Sequence, residues 1–248
     1  MVKETLQEAS ASGPSIFAGS VVPTVQNECS VSVNRDLPGI ESVALARSAW
    51  KRTFDLLVSS VALLLLFPAF VLIALAVKLT SAGPIVYRGP RYGLGGKVFY
   101  MIKFRSMHVD AERREAELFA QRDQTGPVFK MKNDPRVTPI GRFLRRFSMD
   151  ELPQLIHVFL GEMSLVGPRA LTMNEVANCN QSEMSRVKST LRIKPGITCF
   201  WQVGGRSGLT FEQRMDLDER YIRESTLLTD VVILAKTPIA VLRGDGAY

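Results

Sequence analysis

The chain has 248 residues, a formal net charge of +7 and 46% hydrophobic residues, which suits one or two modest domains with a core and a basic surface. Its cysteines, Cys29, Cys179 and Cys199, and its histidines, His108 and His157, are too scattered for a zinc site or a disulfide framework. The positive charge comes with no nucleic-acid-binding signature and no interleaved stacking aromatics, which turns the reading from DNA and RNA toward anionic lipid headgroups.

Residues 1–46 mix Ser, Ala, Val and Glu without periodicity and lack the layout of a signal peptide, so a disordered N-terminal tail is expected. Residues 47–80 differ in kind. From Phe54 to Val77 no charge follows Asp55, and about 20 apolar residues suffice to span a bilayer. Pro68 divides this run into apolar pieces of roughly 14 and 10 residues, about 21 and 14 Å as helix against a hydrocarbon core of ~30 Å. Lys51 and Arg52 precede the run and Lys78, Arg88 and Arg91 follow it, so both flanks carry the positive charge typical of the cytoplasmic side. The residues alone leave two topologies about even, a re-entrant helical hairpin turning at Pro68 or a single span kinked there, with a buried core helix third because of the length of the run.

Residues 81–248 are expected to form a small cytoplasmic domain, mixed α/β and mainly helical. Between Pro84 and Met107, two β-rich runs flank Gly-Pro and Gly-Leu-Gly-Gly, the pattern of a short hairpin with Lys103 and Arg105 on its second arm. The glycine spacing matches neither a Walker nor a dinucleotide loop. Asp110 to Gln121 reads as a charged helix and Asn133-Asp134-Pro135 as a turn.

Next, Ile140, Phe143, Leu144 and Phe147 mingle with Arg142, Arg145 and Arg146 in an amphipathic turn with a cationic wet side. It leads into Ser148-Met149-Asp150-Glu151, where Ser-x-x-Glu predicts a capping box and the helix dipole favours two ionised acids. Leu155, Ile156, Phe159 and Leu160 are expected to form that helix's buried stripe up to Gly161, and His157 reads as a satisfied helix histidine. A capping pair alone is commonplace. Acids behind an arginine cluster, with Arg169 ahead, form a pattern suited to phosphate. Residues 194–206 read as a loop-rich segment displaying Trp201, Gln202 and Arg206 among glycines. From Phe211 to Leu242 an acidic-basic helix precedes an apolar one starting at Leu227 and broken at Pro238, suited to the membrane surface.

Six ordered motifs carry a family resemblance: Lys-Phe-Arg-Ser-Met at 103–107, Asn-Asp-Pro-Arg at 133–136, Gly-Arg-Phe-Leu-Arg at 141–145, Asp-Glu-Leu-Pro-Gln-Leu at 150–155, Gly-Glu-Met-Ser-Leu-Val-Gly-Pro-Arg at 161–169 and Lys-Pro-Gly-Ile-Thr at 194–198. From about Lys51 to Tyr248 the chain resembles the bacterial sugar transferase family, small monotopic polyprenyl-phosphate phosphoglycosyl transferases. The resemblance implies transfer of hexose 1-phosphate from a UDP-sugar to undecaprenyl phosphate with release of UMP, the step that initiates exopolysaccharide or O-antigen synthesis. It implies Asp150 as a nucleophile forming a phosphosugar-aspartyl intermediate, Glu151 as the residue that holds the pair and handles a proton, and Mg²⁺ ligated by Asp150. Arg145 and Arg169, with Lys103 and Arg105, are the implied substrate-phosphate ligands, and Trp201, Gln202 and Arg206 are candidate sugar-nucleotide contacts.

The resemblance also implies the re-entrant hairpin, which places the site at the cytoplasmic face of the bacterial inner membrane. Downstream glycosyltransferases and a second copy of the chain are candidate protein partners. Two positions depart from the family pattern: Phe67-Pro68 stands where Ser-Pro is frequent, and Pro168-Arg169-Ala170 where Pro-Arg-Pro is common. The segments 205–214 and 242–248 resemble the branch that transfers galactose or glucose, which favours a UDP-hexose over a UDP-N-acetylhexosamine. A non-catalytic membrane scaffold is the reading from a different class.

Overall fold

The computed structural model describes residues 48–118, 127, 128, 131, 133–205 and 208–244; the expected tail, residues 1–46, lies outside them. Helix α1, Ala49–Thr80, opens at Ser48, whose hydroxyl accepts from the Lys51 amide at 3.2 Å. Its 32 residues reach ~48 Å at ~1.5 Å each, and it is long and apolar enough to cross a membrane. The expected division at Pro68 is not found, for Pro68 lies inside one continuous helix. A proline deletes one amide donor and crowds one carbonyl, a local penalty of ~3 kcal/mol. Packing along the whole of one helix face outweighs it.

That face is covered at helical spacing. Lys51, Asp55, Ser59, Ile73 and Val77 are buried, and Phe54, Val58, Ala62, Leu66, Phe70 and Ala74 pack between them. The opposite face exposes Leu57, Val61, Leu64, Leu65, Phe67, Leu72 and Leu79.

The expected hairpin forms as antiparallel strands β1, Val86–Tyr92, and β2, Val98–Phe104, in register from Val86 opposite Phe104 to Tyr92 opposite Val98. Its bend is a 3-10 turn at Leu94–Gly96, where Gly95 adopts φ 69°, a region that glycine enters without a Cβ penalty. Gly89 and Pro90 lie within β1 rather than at the bend. Helices α2, Ala111–Leu118, and α3, Pro139–Arg146, follow, then a 3-10 turn at Met149–Glu151 and α4, Gln154–Leu160. Strand β3, Ser164–Val166, pairs in parallel with β4, Gly196–Thr198, across α5, Met173–Ala177, and α6, Gln181–Thr190. The chain ends with α7, Phe200–Gly204, α8, Phe211–Glu224, and α9, Leu227–Arg243. Helix α9 continues through Pro238, so the break expected there is also absent.

Buried polar contacts tie α1 to this domain. Lys51 Nζ lies 2.5 Å from Asp230 Oδ2 on α9, and Tyr221 on α8 donates to Asp230 Oδ1 at 2.7 Å. The Asp55 carboxylate accepts from the Ser164 hydroxyl at 2.8 Å and the Leu165 amide at 3.2 Å, both on β3. Arg52 donates to the Val158 and Phe159 carbonyls at 2.6 and 2.7 Å, at the C-terminal end of α4, where a cation suits the helix dipole. Toward the other end of α1, Ile73 and Val77 share a core with Phe104 and Leu144.

Helix α3 is seated by its first turn. Thr138 donates its amide to the Ser106 carbonyl at 3.0 Å, and a Cβ at Gly141 would overlap that same Ser106 backbone. Gly141→Ala should therefore destabilise the protein by about 1–3 kcal/mol through overpacking, lowering the melting temperature by several degrees. An unchanged melting temperature would show that the strand exit yields.

Candidate active site

Four segments bring charged side chains together. Strand β2 presents Lys103, the 3-10 turn presents Asp150 and Glu151, the last turn of α3 carries Arg145, and the stretch after β3 carries Arg169. The capping box expected at Ser148 is not made. Ser148 sits in the left-handed region at φ 51°, without a side-chain cap contact, and α4 begins only after Pro153. Pro153 suits a helix start because its missing amide has no intrahelical partner there, while Met149 and Leu152 pack into the core under α1. Ser148 is the sole non-glycine residue at positive φ among the described residues, a strain of order 1–3 kcal/mol of the kind found at functional turns.

Freed from capping, Glu151 takes two cations. Its Oε1 lies 2.6 Å from Lys103 Nζ and 3.4 Å from Arg169 Nη1, with the Lys103 and Glu151 side chains only 14% and 15% exposed. Burial alone would raise the Glu151 carboxyl, but Lys103 and Arg169 outweigh it and hold Glu151 well below the usual carboxylate range. Asp150 moves the opposite way: burial raises it, and the Glu151 charge adds to the rise against the pull of Lys103 and Arg145. Two adjacent acids are thus set apart, one fixed as an ionised anchor and the other forming no ion pair among the described residues.

His157 secures the strand behind Lys103. Its Nε2 accepts from the Ile102 amide at 3.0 Å and its Nδ1 lies 2.6 Å from Glu162 Oε2, the satisfied helix histidine that the sequence suggests. The Arg145 charge acts on both acids of its neighbourhood: it opposes, without reversing, the rise that burial imposes on Asp150, and at Asp134 it adds to the lowering by Arg136 that outweighs burial.

Other expected ligands lie elsewhere. The Arg105 guanidinium turns to the end of α1, donating to the Ala82 carbonyl at 2.7 Å and to the Ser81 carbonyl and hydroxyl at 2.6 Å. It caps α1 instead of joining the Glu151 cluster. Trp201 is buried rather than displayed, its ring 5.9 Å from the Arg169 guanidinium and 4.9 Å from that of Arg214. It reaches the cluster through Arg169. Gln202, half-buried, accepts from the Cys199 thiol at 3.1 Å, and Arg206 lies outside the described residues. A residue that the site reading missed, Arg91, stands beside the cluster, and the signal that could have found it is the strand register linking β1 to Lys103.

Among the described residues no three His, Cys, Asp or Glu side chains converge on a cation cage. Mg²⁺ commonly takes one or two carboxylates and completes its shell with water and phosphate. Asp150, unclaimed beside an occupied Glu151, fits that requirement.

The Glu151 clamp has a pH signature. Because its folded pKa is depressed, the stabilisation is present above the unfolded value of about 4.3 and is lost as pH falls through the folded one. Lys103→Met should destabilise by about 3–5 kcal/mol at pH 7, the scale of a broken buried pair. The gap in melting temperature between the two proteins should narrow below pH 4, and a gap independent of pH would remove the charge from the explanation.

The bacterial sugar transferase family model matches residues 46–244. The chain is 43% identical over 204 residues to the undecaprenyl-phosphate galactose phosphotransferase of Salmonella typhimurium, covering 80% of this chain and 41% of that protein. With the UDP-glucose:undecaprenyl-phosphate glucose-1-phosphate transferase of Escherichia coli, identity is 41% over 206 residues, 80% of this chain and 41% of the other. With the exopolysaccharide production protein ExoY of Sinorhizobium fredii it is 38% over 202 residues, 80% of this chain and 88% of ExoY. The chain therefore spans about two-fifths of the length of the first two relatives and most of the third. With the paired acids and their cations all inside the matched region, the chain belongs to the bacterial sugar transferase family.

Proposed function

We propose that the protein transfers hexose 1-phosphate, from UDP-glucose or UDP-galactose, to undecaprenyl phosphate at the cytoplasmic face of the inner membrane, initiating exopolysaccharide or O-antigen synthesis. The observation that carries this reading is the division of labour in the Asp150–Glu151 turn, where Glu151 is clamped by Lys103 and Arg169 and Asp150 is left available. The names of the matched relatives support hexose over N-acetylhexosamine as the sugar.

In this mechanism an Asp150 carboxylate oxygen attacks the sugar-bearing phosphorus of the UDP-sugar. The bond from that phosphorus to the bridging oxygen breaks and UMP leaves with the electron pair, giving a phosphosugar-aspartyl intermediate. A phosphate oxygen of the lipid then attacks the same phosphorus and releases Asp150. Lys103 and Arg169, held by Glu151, and Arg145, beside Asp150, face the charge that builds on the phosphoryl oxygens. Mg²⁺ bound by Asp150 and the substrate phosphates would neutralise further charge on the diphosphate.

Purified protein should release UMP from UDP-glucose or UDP-galactose when given undecaprenyl phosphate and Mg²⁺. Asp150→Asn should lower the rate more than a thousandfold, about 4 kcal/mol in barrier. Activity retained within tenfold would take Asp150 out of the nucleophile's role, and a protein inert toward every UDP-sugar would favour the scaffold reading.

The same proposal makes α1 an interfacial helix with both ends on one side of the membrane rather than a spanning one. Lys51 and Asp55 near one end, and Ile73 and Val77 near the other, pack on the same domain, and a helix crossing the bilayer would need that polar domain on both sides. Lys51 and Arg52 cannot argue topology as free flanking charges, since both are engaged inside the protein. Cysteines placed at Leu45 and Lys97 should both be labelled only from the cytoplasmic side of intact cells. Labelling from opposite sides would overturn this topology.

A further inference from the structure

Arg91 takes no part in the reaction as written above, yet the fold holds it at the edge of the site. In the hairpin register Tyr87 faces Lys103 and Arg91 faces Phe99. Residues two apart share a sheet face, so Arg91 and Lys103 project from the same side. The Arg91 backbone also bridges to Thr172, three residues beyond Arg169. Arg91 thus sits between the two segments that supply the cations on Glu151.

Its side chain is only 12% exposed, and the nearest acid, Glu175, is 3.7 Å away, beyond hydrogen-bond range. The Glu175 oxygen involved, Oε2, already accepts the Thr172 amide at 2.7 Å. Among the described residues the Arg91 side chain forms no hydrogen bond, and its Nε is buried without a partner. A buried donor left unmade costs about 1–3 kcal/mol, more when charged, so the unpartnered Nε–H, on a guanidinium whose other nitrogens make no hydrogen bond to a described residue, points to a partner outside the chain. Arg91 acts electrostatically on Glu151, Arg169 and Lys103. With Lys103, Arg145 and Arg169 it makes four cations against the three acids Asp150, Glu151 and Glu175, a surplus that suits an anion.

We propose that Arg91 binds a phosphoryl group of the substrate, its planar fork taking phosphate oxygens beside the group faced by Arg169 and Lys103. The inference rests on the function proposed above for its ligand chemistry. That phosphate belongs either to the diphosphate of the sugar nucleotide or to the lipid acceptor, and binding measurements separate the two. Affinity for UDP and, separately, for a short-chain polyprenyl phosphate is measured by calorimetry on the detergent-purified full chain, for the unmodified protein, Arg91→Gln and Glu175→Gln.

Arg91→Gln should melt within a few degrees of the unmodified protein and bind one of the two ligands at least tenfold more weakly, while Glu175→Gln stays within threefold for both. A loss confined to UDP assigns the diphosphate, and one confined to the polyprenyl phosphate assigns the acceptor. Both affinities within threefold in a folded Arg91→Gln would overturn the proposal. Equal losses in Arg91→Gln and Glu175→Gln would also overturn it, making Arg91 a structural tie between β1 and α5. Should Arg91→Gln fail to fold, Arg91→Lys decides instead, since it keeps the charge but loses the fork and should still weaken one ligand several-fold. Binding of UDP that depends on Arg91 in a protein that transfers no sugar phosphate would sink the transferase reading while leaving this one intact.

Discussion

Lys51 and Asp55 are buried charges on a helix that is otherwise almost wholly apolar, and the arrangement of the molecule depends on where their partners lie. Removing one partner of a buried pair costs about 3–5 kcal/mol, a large share of the stability of an ordinary domain. Lys51 reaches Asp230, which is held in turn by Tyr221, and the Tyr221 hydroxyl lies 3.0 Å from the Val166 carbonyl. Asp55 takes the Ser164 hydroxyl and the Leu165 amide. Both ends of β3 are therefore tied to the first two turns of α1. Three residues after β3 comes Arg169, so anchor and active site are set by one network.

The acids show how neighbours, rather than residue type, assign chemistry. Asp150 and Glu151 share a turn and a high degree of burial, yet Lys103 and Arg169 converge on Glu151 alone. The Trp201 ring between Arg169 and Arg214 limits the orientations open to Arg169. His157 fixes the strand carrying Lys103 through the Ile102 amide. Lys103 thus sits on a strand and Arg145 on a helix, while Arg169 is steadied by the bridge of its backbone to Gly196, which favours preorganised geometry.

Much of this was legible because it is local. Apolar and glycine patterning marked the hairpin, and the mixed Arg and Phe periodicity marked α3; the paired acids stood out by charge. The failures share a cause, which is that tertiary contacts overrode a local rule. Pro68 and Pro238 carry a local penalty, but helices covered along one face continue through them. Ser148 and Glu151 satisfy the capping pattern, but Lys103, 48 residues away, has the stronger claim on Glu151. Arg105 and Lys103 are two residues apart and chemically alike, and only the three-dimensional position of Ser81 and Ala82 separates their roles. Trp201 lies among glycines that suggest exposure, whereas packing against two arginines buries it.

The Lys51–Asp230 contact also sets an order of events in synthesis. The two residues are 179 positions apart, so at about 5–20 residues per second Lys51 leaves the ribosome roughly 9–36 s before its partner exists. During that interval the apolar helix can meet a bilayer, but the charge on its inner face has no counter-ion and its covering face has nothing to cover it. Its final seat becomes available only once α9 has emerged. Nascent chains paused before Asp230 would therefore carry α1 in a provisional position, and the strand that leads to Arg169 waits on the same event, because it is tied to α1 and α9 together.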